Sequence, residues 1–146
     1  MTMHRRQFVK IGCTCMIVPW VPSLLGCEGT RHVTGTLEST GISVLKSEFD
    51  IATKGGTAQR EYIIVRNDKL EYPICLYRLS ENDYSAILMK CTHQGTELQV
   101  AGDHLHCPGH GSEFNNKGQV TLGPAESSLR TFRVFSESPR LVIELK

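Results

Sequence analysis

Two cysteines and four histidines lie within the stretch KCTHQGTELQVAGDHLHCPGHGSEF, residues 90–114. Cys91 and His93 form a Cys-x-His pair, and Cys107 and His110 form a Cys-x-x-His pair. The 13 residues between His93 and Cys107 are enough for a strand, a turn and a returning strand, which would bring two short loops together. The stretch therefore predicts a metal site built from two loops.

Two thiolates and two imidazoles suit tetrahedral zinc, and they equally suit a 2Fe-2S cluster with cysteine on one iron and histidine on the other. Structural zinc sites usually place about two to four residues between paired ligands, whereas one residue separates Cys91 from His93. This spacing aims the two side chains apart, toward different irons. Gly95, Gly109 and Gly111 would let backbone N–H groups approach cluster sulfides. The spacing favours an iron–sulfur cluster. The alternative from a different functional class is a structural zinc module in a surface lipoprotein.

The rest of the chain shows short apolar runs between glycine-rich or charged turns, without a long helical period. Ten such runs predict strands at 33–38, 42–46, 61–67, 73–79, 84–90, 97–100, 104–107, 119–122, 130–135 and 140–145. Turns are predicted at 53–59, 66–73, 80–84 and 115–118. This pattern predicts an all-β barrel or sandwich, with ligand loops at 91–96 and 107–112 on a β base.

The first 26 residues hold three basic residues, no acidic residue and an apolar run, which is the layout of an export signal. Within them RRQFVK resembles the twin-arginine signal, with Arg5 and Arg6 as the pair. That route exports proteins already folded around a cofactor. A basic amphipathic helix start is the alternative. We therefore expect an export signal at 1–26, a linker at 27–35 and one domain at 36–146.

The end of the leader, LLGC, resembles a bacterial lipobox whose cysteine, Cys27, becomes lipidated. A plain cleavage site is one alternative. An uncleaved anchor is another, but residues 11–26 would span only about 24 Å as a helix against a bilayer core of about 30 Å. The sequence predicts a lipid anchor at Cys27, on the periplasmic face of a bacterial membrane.

Without residues 1–26 the chain carries 13 Lys and Arg and 15 Asp and Glu, a formal charge of −2 with neutral histidines. No basic patch supports nucleic-acid binding. Cys75 has no disulfide partner once Cys91 and Cys107 bind metal, so we predict a buried core residue. His104 and His106 alternate along one strand, where a solvated face is expected rather than a second metal site.

Together CTHQG, CPGHGSEF and NNKGQVTLGPA resemble the Rieske iron–sulfur family, from about residue 87 to residue 134. The resemblance implies a Rieske-type 2Fe-2S cluster, with Cys91 and Cys107 on one iron and His93 and His110 on the other. It also implies a small cluster-binding subdomain of three short sheets on a β base, with both histidine rings near the surface.

Departures from the family pattern concern the cluster surroundings. Bc-type members carry a disulfide between the loops, but Thr96 and Gly109 stand at its two positions here, so the resemblance implies a disulfide-free variant. Ser112 keeps a hydroxyl that high-potential members aim at a sulfide, whereas Phe114 replaces a tyrosine that donates to a cysteine sulfur. A hydrogen bond to sulfur raises the potential, so we expect a value inside the range of about −150 to +300 mV.

The segment Gly123, Pro124 and Ala125 resembles the loop that covers the cluster in high-potential members. An ordinary Gly-Pro turn is the alternative. Because protein ligands fill the cluster, such a domain transfers electrons without a substrate site of its own, and His93 and His110 would face the partner.

Three assignments compete: an exported, lipid-tethered carrier or subunit of a membrane-associated oxidoreductase, a Rieske subunit of a quinol-oxidising complex, and a ferredoxin component of an oxygenase. The export signal and the missing disulfide together favour the first. The expected partners are then a redox protein or a quinol or oxidoreductase complex, together with the membrane surface through the lipid.

Overall fold

The computed structural model describes residues 29–146. The expected export signal at 1–26, including Arg5 and Arg6, and the expected lipidation site Cys27 lie outside these residues. The described chain is all-β, as predicted, and nearly all of its strand pairs are antiparallel. The exception is the first strand, which pairs in parallel with the sixth. Within residues 29–146 no helix is long and apolar enough to cross a membrane.

The base consists of two sheets and a hairpin. The five-stranded sheet has the order β1 (His32–Thr34), β6 (Tyr62–Arg66), β7 (Ile74–Arg78), β8 (Tyr84–Leu88), β13 (Thr131–Phe132). The four-stranded sheet has the order β14 (Val134–Glu137), β15 (Arg140–Glu144), β3 (Gly41–Leu45), β2 (Thr36–Leu37). A 3-10 turn (Lys46–Phe49) leads to the hairpin β4 (Asp50–Thr53) and β5 (Gly56–Gln59).

A separate four-stranded sheet carries the predicted metal site. Its order is β12 (Val120–Leu122), β11 (Glu113–Asn115), β10 (His104–His106), β9 (Gln99–Ala101). The first ligand loop lies between β8 and β9, and the second connects β10 to β11. The cluster-binding subdomain is therefore one antiparallel sheet, rather than the three short sheets that the family resemblance implied.

The five-stranded sheet separates two apolar cores. Side chains alternate between the faces of a strand, so Ile63 and Val65 of β6 pack into an apolar core against the four-stranded base sheet. On the opposite face, Ile64, Cys75 and Tyr77 pack toward the ligand loops. Strands buried on both faces are apolar along their whole length, which explains the runs YIIV and ICLY.

Cys75 is fully buried, as predicted. Burial raises the pKa of the Cys75 thiol far above its ordinary value. Cys75 is therefore a neutral core side chain.

The structure differs from the predicted elements at five places, one of which is the run at 130–135, which forms β13 and β14 in different sheets. The run at 33–38 forms two strands in different sheets, and the first of them, β1, begins inside the segment assigned to the linker. The turn predicted at 53–59 is confined to residues 54–55, and residues 56–59 form β5. Strand β4 also lacked a prediction, because this hairpin is largely exposed and has no apolar alternation. Strand β11 also lacked a prediction.

Candidate metal centre

The first ligand loop is closed by two backbone hydrogen bonds. Gly95 donates its N–H to the carbonyl of Cys91 (2.8 Å), and Cys91 donates its N–H to the carbonyl of Thr96 (2.9 Å). Gly95 has a φ of 75°, a left-handed conformation that glycine adopts without steric cost. The loop therefore turns back on its own cysteine within six residues.

The second ligand loop repeats this frame. Gly111 donates its N–H to the carbonyl of Cys107 (2.9 Å), and Cys107 donates its N–H to the carbonyl of Ser112 (2.8 Å). Gly111 has a φ of 76°. Each loop thus presents a cysteine, a left-handed glycine four residues later and a hydroxyl residue directly after it.

All four predicted ligands come together. The side chains of Cys91 and Cys107 are buried, with exposed fractions of 2% and 1%, and the Cys91 thiol is close enough to Cys107 to lower its pKa. His93 and His110 are exposed, and their rings meet edge to face with centroids 4.8 Å apart. The thiols face the core and the imidazoles face solvent, as the family resemblance implied for the rings.

The surroundings of Cys107 favour a thiolate. Burial by itself raises its pKa. Hydrogen bonds from the backbone N–H groups of His110 and Gly109, together with the thiol of Cys91 and the hydroxyl of Thr96, outweigh this and hold the pKa of Cys107 below its usual value. Because the thiolate is the form that binds metal, these donors prepare the sulfur for a metal ion.

The donor set fits a 2Fe-2S cluster, which takes two thiolates on one iron and two imidazoles on the other. The thiols form one pair and the rings another, and backbone N–H groups point at a cysteine sulfur, as such clusters require. Across residues 29–146, no three His, Cys, Asp or Glu side chains surround a common point for a single metal ion.

Each ligand loop forms a hydrogen bond with the segment 123–127, whose first three residues are the predicted cover loop. Thr92 donates its hydroxyl to the carbonyl of Ser127 (2.6 Å), and Ala125 donates its N–H to the hydroxyl oxygen of Ser112 (3.0 Å). The Ser112 side chain is fully buried. Because its oxygen accepts this bond, its own proton remains available as a donor. Gly123 and Pro124 are exposed at the start of the cover loop.

The other singled-out positions line the same site. Phe114 is fully buried in the core below the loops and brings no hydroxyl. A Cβ atom placed on Gly109 would lie 3.7 Å from the Cβ atom of Thr96 and 3.0 Å from its hydroxyl oxygen. The two positions are thus neighbours. Within residues 29–146 all three cysteines are unpaired.

His104 and His106 lie on β10, outside the two ligand loops. Both are half-buried on β10, and the Nδ1 atom of His104 lies 3.3 Å from Asp103. Sequence reasoning missed the hydroxyl of Thr96 beside Cys107. The repeated order of cysteine, glycine and hydroxyl residue in CTHQGT and CPGHGS is the signal that could have found it.

A family model for the Rieske 2Fe-2S domain matches residues 50–133. The chain belongs to the Rieske family, and its cofactor is a Rieske-type 2Fe-2S cluster. The match begins at residue 50, well before residue 87, where the resemblance in the sequence began, and so includes much of the base.

The relatives identify the matched region as a Rieske-type electron-transfer domain. The chain is 30% identical over 128 residues to the cytochrome b6-f complex iron-sulfur subunit 1 of Nicotiana tabacum, covering 78% of this chain and 50% of the relative. It is 34% identical over 64 residues to the oxygenase component of dicamba O-demethylase from Stenotrophomonas maltophilia, covering 42% of this chain and 19% of the relative. The chain spans about half the length of the b6-f relatives.

The crystal structure of the cyanobacterial plasma membrane Rieske protein PetC3 from Synechocystis PCC 6803 is similar in fold. The TM-score is 0.51 at 24% sequence identity, over 57% of this chain and 86% of the other. At this identity the likeness supports the fold alone.

Proposed function

We propose that this protein is a one-electron carrier in which Cys91 and Cys107 hold one iron of the cluster and His93 and His110 hold the other. One observation carries the assignment: two buried thiols lie side by side beneath two exposed imidazole rings that touch. When bound, a cluster of this kind takes up and releases single electrons.

The residues around the site have separate tasks. The core beneath the loops excludes water from the cysteine sulfurs, and the N–H groups of His110 and Gly109 offset negative charge on Cys107. The exposed rings of His93 and His110 present the shortest route to a partner. The absence of cysteine at positions 96 and 109 supports a disulfide-free centre.

We further propose that the protein is exported and lipid-anchored and serves a membrane-associated oxidoreductase. The RRQFVK segment and the LLGC segment support this. A Rieske subunit of a quinol-oxidising complex is the second candidate, favoured by the similarity to b6-f iron-sulfur subunits.

The ligand assignment is tested on purified protein by iron and sulfide analysis and electron paramagnetic resonance of the reduced form. We expect two irons per chain and the low-average-g signal of a mixed Cys and His cluster. Cys107→Ser and His110→Ala should lose that signal. His104→Ala, a histidine of the same sheet, should keep it. Zinc without iron would establish the structural alternative, and an unchanged spectrum in His110→Ala would refute the ligand set.

The anchor is tested by cell fractionation. The wild-type chain should sediment with membranes and carry the mass of a lipid-modified Cys27, and Cys27→Ser should remove both. Arg5→Lys with Arg6→Lys should retain the precursor in the cytoplasm. A soluble wild-type protein would remove the anchor from the proposal without touching the cluster.

A further inference from the structure

A groove of about 570 Å³ opens beside the candidate ligand His93. Tyr72, just before β7, and Lys90, just after β8, line one part of it, and Ser127 and Arg130 line another. Strands β7, β8 and β13 are neighbours in the five-stranded sheet, which brings these distant segments together. The groove therefore connects the base sheet to an exposed ligand ring.

Aromatic rings hold both cations of the groove in place. The Nζ atom of Lys90 lies 4.8 Å from the centroid of the Tyr72 ring. The guanidinium carbon of Arg130 lies 4.9 Å from the centroid of the Phe132 ring. A ring face attracts a cation but leaves its net charge in place. The groove thus contains two fixed positive charges.

Acidic side chains leave these charges uncompensated. Glu97 lies across an antiparallel bridge from Lys90, but its carboxylate oxygen is 2.7 Å from a guanidinium nitrogen of Arg66. In the described part of the chain, neither Lys90 nor Arg130 has a carboxylate within 4.0 Å. The described side chains that line the groove include no Asp or Glu. This is a local cationic site on a chain with nearly balanced charge.

We propose that the groove beside His93 is the docking surface for a redox partner protein that presents carboxylate groups next to its own redox centre. The inference rests on the proposed electron-transfer function and adds the chemistry of the partner. Opposite charges at an interface steer the encounter and fix its orientation. Carboxylates paired with Lys90 and Arg130 would hold the partner against the His93 ring.

The reaction with small oxidants of opposite charge tests the groove directly. The reduced protein gives one electron to ferricyanide, which becomes ferrocyanide, or to tris(phenanthroline)cobalt(III), which becomes the cobalt(II) complex. In Lys90→Gln/Arg130→Gln we expect the second-order rate constant for ferricyanide to fall by about threefold to tenfold at low ionic strength. The difference should shrink near 1 M salt, where the Debye length is about 3 Å. The rate constant for the cationic oxidant should stay the same or rise.

Two control variants separate site from net charge. Lys46→Gln/Lys54→Gln removes the same charge from the 3-10 turn and from the turn between β4 and β5, and should slow ferricyanide much less. Lys90→Arg/Arg130→Lys keeps both charges and should react as the wild type does. If both double Gln variants slowed ferricyanide equally, the effect would come from net charge alone and the proposal would be wrong. Equal slowing of both oxidants would also overturn it.

Binding without electron transfer provides a second readout. Redox-inert hexacyanocobaltate should broaden its cobalt NMR line with wild-type protein, and the Lys90→Gln/Arg130→Gln pair should remove most of this broadening. A short polyglutamate peptide should compete, as a carboxylate-bearing protein surface would. Competition by anionic lipid vesicles but not by the peptide would assign the groove to a membrane and overturn the proposal.

Failure of this inference is distinguishable from failure of the proposed function. Absence of the cluster signal in the wild-type protein would remove the proposed function itself. A normal cluster signal, with rate constants and anion binding that are unchanged in Lys90→Gln/Arg130→Gln, would refute only the docking surface.

Discussion

The two ligand loops share a backbone frame and differ in what they attach to it. In each, the carbonyl of a cysteine accepts a hydrogen bond from a left-handed glycine four residues later. The histidine comes two residues after Cys91 but three residues after Cys107. The hydroxyl residue that ends the loop is half-buried Thr96 in one and fully buried Ser112 in the other.

This difference shows that fixing a cysteine and tuning its surroundings are separable tasks. The repeated frame fixes the cysteines in both loops. The hydroxyl of Thr96 helps to lower the pKa of Cys107 in the opposite loop, whereas that of Ser112 accepts a hydrogen bond from the N–H of Ala125. Substitutions that affect the backbone frame should therefore have equal effects on stability in the two loops. Substitutions of the hydroxyl residues should have different effects.

Linking the two loops covalently should give the largest effect. Because a Cβ atom on Gly109 would lie 3.7 Å from that of Thr96, within the usual range for disulfides, Thr96→Cys/Gly109→Cys should form a bond on oxidation. A closed loop of about 15 residues stabilises by about 3 kcal/mol. The temperature at which visible absorption bleaches should rise by about 10 °C. The same variant under reducing conditions is the control, and titration of two free thiols after oxidation would contradict the geometry.

Removing the two hydroxyls should destabilise the protein to different extents in the two loops. Ser112→Ala leaves the buried N–H of Ala125 without its partner, at a cost of about 1–3 kcal/mol, and should lower the reduction potential. Thr96→Val should lower the potential too, but with a smaller loss of stability, because the N–H of Cys91 keeps its bond to the backbone carbonyl at 96. Denaturation and voltammetry measure both quantities, and equal losses of stability would break the distinction.

The shared frame predicts equal costs for its two glycines. Alanine in the left-handed region costs about 1–2 kcal/mol, and a Cβ atom on Gly111 meets nothing within 4 Å, so backbone conformation alone sets its penalty. Gly95→Ala adds a 3.4 Å contact with the side chain of Lys90 and a 3.8 Å contact with the hydroxyl of Tyr72. Gly55→Ala, in open space without a positive φ, should change the free energy of unfolding little. A large difference between the two loop variants would mean that the loops are not equivalent.

The smallest effect is expected at Phe114, which packs beneath both loops. If the added hydroxyl of Phe114→Tyr donates to a cysteine sulfur, about 1 kcal/mol corresponds to a rise in potential of about 40–60 mV for one electron. Phe135→Tyr, on an exposed side chain of β14, should leave the voltammogram unchanged. A fall in potential for Phe114→Tyr would contradict the prediction.

Sequence predicted this molecule best where the chemistry is local. The proximity of the candidate ligands, the apolar strands around Cys75 and the all-β class follow from spacing and alternation within short windows. The hairpin β4–β5 was not predicted because its exposed faces carry no such pattern. The cationic groove escaped for a different reason: Tyr72, Lys90 and Arg130 lie far apart along the chain and meet only through strand order.

The bond from Ala125 to Ser112 has a consequence for the timing of motion at the site. A loop amide usually exchanges its proton with solvent rapidly, but this one is bound to a fully buried hydroxyl. Its proton can exchange when the segment 123–127 moves away from Ser112. Deuterium uptake at Ala125 would therefore act as a clock for how often solvent reaches the cysteine sulfurs in the resting protein.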